Sequence, residues 1–236
     1  MNIKTHFIKN NLLTLGGNTK IDKNTIPTYN LSLLPHTMNS KKQNLCTYST
    51  AECRSACLNM AGRGGFSSVQ NSRSLRTEFF IQHKKEFLII LTSELARINS
   101  LYPRALIRLN TFSDVDWKNE FKIVGINIED FVNLTFYGYT KNPSYIENKA
   151  INEEFVYSYS GKNWLQCEKF LKEKACNVAV VFLGPIPDIY KNYKVILGDD
   201  SDEKLVEKEG TGNVIGLKYK KPKSSVIELS SFVVKV

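Results

Sequence analysis

Six short apolar segments separated by polar loops follow residue 103, and they constrain the fold more than anything else in the chain. They are 104–109 (RALIRL), 133–138 (NLTFYG), 154–159 (EFVYSY), 177–183 (NVAVVFL), 194–198 (KVILG) and 213–219 (NVIGLKY). Each is short for a helix, and most are rich in the β-branched and aromatic residues that suit a pleated, half-buried surface. A seventh candidate, 28–34 (TYNLSLL), alternates and stops at Pro35. Helical periodicity interrupts the series. Trp164, Cys167, Leu171 and Ala175 share one face of a helix predicted over about 162–175. Two more helices are expected upstream, 67–77 opened by Ser67 and Ser68, and 80–99. In the second, Phe80, Phe87, Leu91, Leu95 and Ile98 recur at three-, four- and seven-residue steps before Tyr102-Pro103 closes it.

Strands alternating with helices predict an α/β fold with a parallel sheet. Seven strands suggest a complete or partial (βα) barrel, TIM-barrel-like, becoming irregular after 183 where the links are short for helices. A chain of 236 residues supports one sizeable core and is short for two. The expected organisation is a polar, Asn-rich N-terminal extension over 1–27, wrapping the surface around a Gly16-Gly17 turn, and one domain over 28–236.

In parallel α/β folds the chemistry gathers at the carboxyl ends of the strands. Those ends carry Asn110, Ser113 and Asp114 after the second strand, Tyr137 and Lys141 after the third, and Lys218 in the last. The segment leaving the first strand reads Cys46-x6-Cys53-x3-Cys57, followed by Leu58-Asn59-Met60-Ala61-Gly62-Arg63-Gly64-Gly65. Three thiolates on one loop reach a single metal centre without help from distant segments, and thiolates are the usual ligands of iron–sulfur clusters. Zinc prefers tighter pairs and would need a fourth ligand, for which His36 is the nearby imidazole. Cys167 reads as a core cysteine on an apolar helix face, and Cys176 starts a strand at the opposite end. A cluster held by three cysteines would leave one iron without a protein thiolate. It would be 4Fe–4S, with a 3Fe–4S form expected on isolation. Asn59, Gly62 and Gly64 could bring backbone N–H groups close to a cluster or an anion, or simply form a turn.

The net charge of +9 invites a nucleic-acid reading, but Lys is spread along the chain rather than gathered in a stripe. Arginine is different. Four of the seven, Arg54, Arg63, Arg73 and Arg76, fall within 54–76, which suggests either planar recognition of an anion or helix-surface ion pairing. No apolar run is long enough to span a bilayer, and the N-terminus lacks the apolar core of a secretion signal, so a cytoplasmic protein is expected.

Cys53-x3-Cys57-Leu58-Asn59-x-Ala61-Gly62-Arg63-Gly64, with Val69-Gln70 and Arg73, resembles the phage proteins of the gene product 88 family. The resemblance continues through Arg108-Leu109-Asn110-x2-Ser113-Asp114-x2-Trp117, Phe136-Tyr137-x-Tyr139-Thr140-Lys141, Gly198-Asp199-x2-Asp202 and Gly216-Leu217-Lys218. Gly138 stands where relatives tend to carry Asp. Membership implies a viral protein acting in the cytoplasm of an infected bacterial host. The Cys loop after a first strand is also similar to radical S-adenosylmethionine enzymes, although their C-x3-C-x2-C spacing is absent.

Three functional expectations follow. The first is an enzyme using the open iron as a Lewis acid, an esterase- or thioesterase-like hydrolase or a hydro-lyase. There Arg63 would orient an anionic small molecule, and Asp114, Tyr137 or Lys141 would move protons. Asn59, Gly62, Gly64, Asn110, Ser113 and Lys218 would line the cofactor. The second is radical chemistry with S-adenosylmethionine. The third is a non-catalytic metal-stabilised protein that binds a host partner or nucleic acid.

Overall fold

The computed structural model describes residues 3–17, 21–203, 206, 210–220 and 231–236. In chain order the elements are α1 (Ile3–Lys9), β1 (Thr14–Leu15), β2 (Thr28–Asn30), α2 (Ala51–Ser55), α3 (Ser67–Gln82), α4 (Lys84–Leu101), β3 (Ala105–Arg108), α5 (Trp117–Lys122) and β4 (Leu134–Thr140). Then follow α6 (Pro143–Glu147), β5 (Glu153–Ser158), α7 (Trp164–Lys172), β6 (Val178–Leu183), β7 (Ile189–Tyr190), β8 (Tyr193–Leu197), β9 (Val214–Lys218) and β10 (Val233–Lys235). Every expected strand and helix has a counterpart. The break between the two long helices falls at His83, whose backbone leaves the helical region at φ −135° and ψ 51°.

The strands form one sheet in the order β1-β2-β3-β4-β5-β6-β9-β8-β7. From β2 to β8 every neighbouring pair is parallel. Antiparallel partners, β1 against β2 and β7 against β8, terminate the ladder at its two ends. The α/β class with a mostly parallel sheet therefore holds; of the expected complete or partial barrel, the complete form is not seen, because no pairing among the described residues joins those ends. The reason lies partly after β6, where the chain makes a hairpin instead of a crossover helix.

Sequential order among parallel strands sends right-handed crossovers to the same side of a sheet. Packing agrees. Ala105, Ile107, Leu134 and Phe136 share a core with Phe79, Phe80, Phe87, Leu91 and Leu95 of α3 and α4. Farther along, Tyr157, Val178 and Val180 pack on Cys167, Phe170 and Leu171 of α7. The alternate residues Leu106, Tyr137, Val156, Ala179 and Ile215 face the other way, where Val206 covers them. On α4, Phe87, Leu88, Leu91 and Leu95 are wholly buried, and each contributes about 2 kcal/mol as an upper estimate.

The N-terminal segment does more than wrap the surface. Phe7, Leu12 and Leu13 enter the main core, and Glu94 of α4 accepts hydrogen bonds from the backbone N–H groups of Leu12 (2.7 Å) and Leu13 (2.9 Å). At the other end, β5 pairs with β6 only at Val178 and Ala179, while β10 pairs with β6 from Val181 to Leu183. β10 thus occupies the β6 edge that β5 gives up, at the carboxyl end of the sheet.

Candidate metal centre

The chain leaves β2 extended, with Leu34 N–H bonded to the buried Thr77 hydroxyl of α3 at 2.8 Å. It turns at His36, which has φ +38°. Cys46 is pinned from two sides. Its Sγ accepts from His36 N–H at 3.3 Å and donates weakly to the Phe112 carbonyl at 3.3 Å. Thr50 caps α2 by accepting from Cys53 N–H at 3.1 Å, which places Cys53 on that short helix, and Cys57 follows directly after it.

The three cysteines are free thiols, each partly buried; the charges of Cys57 and Cys53 act on Cys46, and that of Cys53 acts on Cys57. Burial, with smaller additions from Asp114, Cys57 and Cys53, pushes the Cys46 thiol up to about 12. Burial also raises Cys57, against a lowering hydrogen bond from the Asn59 backbone and lowering charges from Lys141 and Arg73. Thiols in this state carry no stable negative charge alone; a bound metal would deprotonate them.

Arg73 of α3 holds the glycine-rich turn beneath Cys57. Its Nη1 donates to the Asn59 carbonyl (2.8 Å), to Asn59 Oδ1 (2.7 Å) and to the Gly64 carbonyl (3.4 Å). Gln70 Nε2 adds bonds to the Asn59 carbonyl (2.9 Å) and the Gly64 carbonyl (2.7 Å). The packing explains Gly64, since a Cβ there would meet the Asn59 carbonyl at 2.9 Å and Arg73 Nη1 at 3.4 Å. Gly62 has φ +53°, a left-handed backbone that disfavours other residues. The Arg73 guanidinium stacks 4.0 Å from the Phe112 ring centroid, and burial lowers its pKa to about 10. Arg54 binds Ser49 and Arg76 binds the Leu12 carbonyl, so three of the four clustered arginines grip hydroxyls or backbone carbonyls. Arg76 also senses the charge of Glu94, in keeping with the ion-pairing expectation. Arg63 is exposed.

Asp114 reaches the same region. Its carboxylate accepts from Thr140 Oγ1 at 2.9 and 3.1 Å and from Lys141 N–H at 3.1 Å, and burial lifts it to about 6. The Lys141 ammonium lies 5.4 Å from the centre of the Phe232 ring, just before β10. Asp114, Lys141 and Arg73 therefore stand with the cysteines.

Other expected site residues are engaged elsewhere. Asn110 Oδ1 accepts from Ser113 Oγ (2.9 Å), Val115 N–H (3.0 Å) and Trp117 Nε1 (3.0 Å), so Asn110 and Ser113 build the loop that carries Asp114. Tyr137 points to the face without helices and donates to Asp202 Oδ2 at 2.9 Å, with burial raising its pKa. Lys218 ends β9, five strands along from β2, and its N–H donates to Asp199 at 2.8 Å. Gln70, Arg73, Phe112 and Phe232 shape the site although periodicity alone reads the first two as helix surface. The signal for Gln70 and Arg73 was their place in the longer motif.

The gene product 88 family matches residues 6–228. The chain belongs to that family. The resemblance carried by the cysteine, Arg108 and Tyr137 motifs thus holds, and with it the reading as a phage protein. No curated protein and no solved structure matches the chain. No helix among the described residues is long and apolar enough to cross a membrane.

The donor set can be weighed against the metals it was expected to bind. Among the described residues, no three His, Cys, Asp or Glu side chains are gathered as a single metal ion requires. The thiols are nonetheless within electrostatic reach of one another.

Proposed function

We propose that Cys46, Cys53 and Cys57 hold an iron–sulfur cluster of the 4Fe–4S type, isolable as 3Fe–4S, and that the protein is a hydrolase or hydro-lyase acting on a small anionic substrate. The observation that carries this reading is the company the thiols keep. Burial raises Cys46 and Cys57, and Cys57 stands beside a guanidinium that donates to carbonyl oxygens of Asn59 and Gly64. When bound, the cluster would supply an iron without a protein thiolate as a Lewis acid.

The chain's own groups would do the rest. Arg73 and Lys141 provide positive charge next to Cys57, offsetting the negative charge of ligated thiolates. Asp114, lifted to about 6, can hold or release a proton at Oδ1 or Oδ2 near neutral pH. Arg63, exposed on the glycine-rich turn, is free to meet an incoming carboxylate or phosphate. The sheet would serve as a partial barrel with these groups at its mouth, in the cytoplasm of the infected host.

A second reading, chemistry with S-adenosylmethionine, is favoured by one observation: the cysteine loop leaves the first parallel strand of a sequentially ordered sheet.

Anaerobic purification followed by a visible spectrum and iron and sulfide counts tests the central claim. A brown protein with absorption near 400 nm and matching iron and sulfide is expected, lost in Cys53→Ser and Cys57→Ser. Retention of the metal in both variants, or a colourless protein after reconstitution, would sink it. Ester hydrolysis and cofactor-cleavage assays on the brown protein then separate the two readings.

A further inference from the structure

A cleft of about 320 Å³ opens on the helix-bearing face of the sheet, roofed by α5 and α6 and floored by Ile107 and Phe136. Its volume lies within the range of small-molecule sites. It is separate from the cysteine loop, behind the segment that carries Asp114.

The polar groups of the cleft differ in how much of their bonding capacity is spent. Lys118 Nζ donates to the Asn148 carbonyl at 2.8 Å, and Lys122 Nζ donates to Asn119 Oδ1 at 3.0 Å. Asp116 caps α5 by accepting from Asn119 N–H at 3.1 Å and Nδ2 at 2.7 Å. Glu153 is only 6% exposed, yet it uses one oxygen, Oε2, to accept from Ala150 N–H at 2.7 Å. Among the described residues Oε1 takes no hydrogen bond, and Glu153 lines the cleft. Burial raises its pKa, while the Ala150 hydrogen bond and the Lys118 charge lower it and Asp116 and Glu129 raise it. The rings of Tyr145 and Phe155 also line the cleft, with centroids 5.9 Å apart.

A buried carboxylate with an unspent oxygen, a second carboxylate nearby and two aromatic rings together form the surroundings that an ammonium group prefers. We propose that this cleft binds a small organic amine, its ammonium on Glu153 Oε1 and its apolar body against Phe136 and Ile107. The Glu153 carboxylate disfavours an anion of the same shape at that position.

The test uses 2-phenylethylamine as the probe and 3-phenylpropionate as the matched anion, each titrated into the full chain by calorimetry and amide NMR. Saturable binding of the amine, with Kd about 1 mM or tighter, and none of the anion, is expected. Glu153→Gln should weaken it at least about tenfold. Ser144→Trp, which plugs the exposed mouth and leaves the buried carboxylate intact, should abolish it, so the claim survives a Glu153→Gln protein that does not fold. Absence of saturable amine binding, equal binding of the anion, or unchanged affinity in the folded Ser144→Trp protein would overturn the proposal. None of these results depends on whether the cysteines hold a cluster.

Discussion

Arg73 and Arg108 are both largely buried arginines, and their surroundings treat them in opposite ways. Arg108, at the end of β3, pairs with the fully buried Asp202 at 2.8 Å, and the same carboxylate accepts from Tyr137. Burial opposes the Arg108 charge, yet Asp202 holds its pKa above the ordinary value. Arg73 donates to neutral oxygens of Asn59 and Gly64 and stacks on Phe112, so burial prevails and its pKa falls to about 10. One arginine meets its counter-charge within the fold. The other, among the described residues, donates to no carboxylate, and its charge acts on Cys57.

The largest expected effect comes from breaking the buried Arg108–Asp202 pair. Arg108→Met leaves Asp202 charged and buried without its cation, and should cost about 3–5 kcal/mol in urea unfolding. Arg108→Met combined with Asp202→Leu should recover much of that loss; a double variant as unstable as the single one would show that the pair is not the source.

Arg73→Met should behave differently. It removes donors from two carbonyls and should cost about 1–3 kcal/mol in the metal-free protein. Its larger consequence should be on iron retention after reconstitution. Equal loss of stability and unchanged iron content would erase the distinction between the two arginines. Arg73→Lys, which keeps the charge without the planar fork, should be intermediate in iron content.

Asp114 sharpens the comparison through pH. Its carboxyl is raised from 3.8 to about 6, so the folded state binds its proton more tightly than the unfolded state does. The resulting stability is fully present below about pH 4 and is lost as pH rises through about 6. Relative to Asp114→Asn, the metal-free protein should lose roughly 1–2 kcal/mol between pH 4 and pH 7. Parallel pH profiles for the two proteins would contradict the burial argument.

The smallest effect is expected at Gly138. A Cβ there meets no heavy atom within 4 Å, and its φ is not positive. Gly138→Ala should therefore be neutral or raise stability by up to about 1 kcal/mol, measurable as a small rise in Tm.

Much of this fold is legible without coordinates because it is local. The β-branched run 177–183 becomes β6, and the spacing of Phe87, Leu91, Leu95 and Ile98 becomes the buried face of α4. The short β1, β7 and β10 escaped notice because two or three residues carry no periodicity, and only their partner strands stabilise them. Tyr137 was misplaced for a related reason. A strand alternates its faces, and which face meets Asp202 depends on a segment some sixty-five positions away.

By itself, the sequence determined the α/β class, the longer strands and helices, the family and the crowding of three cysteines, since each rests on neighbouring residues or short spacings. Tertiary structure decided where the sheet ends, which arginine meets a carboxylate and which only carbonyls, and that β10 fills the edge of β6. Those outcomes depend on burial and on partners distant in the chain, and electrostatic free energy is set by that environment rather than by residue type.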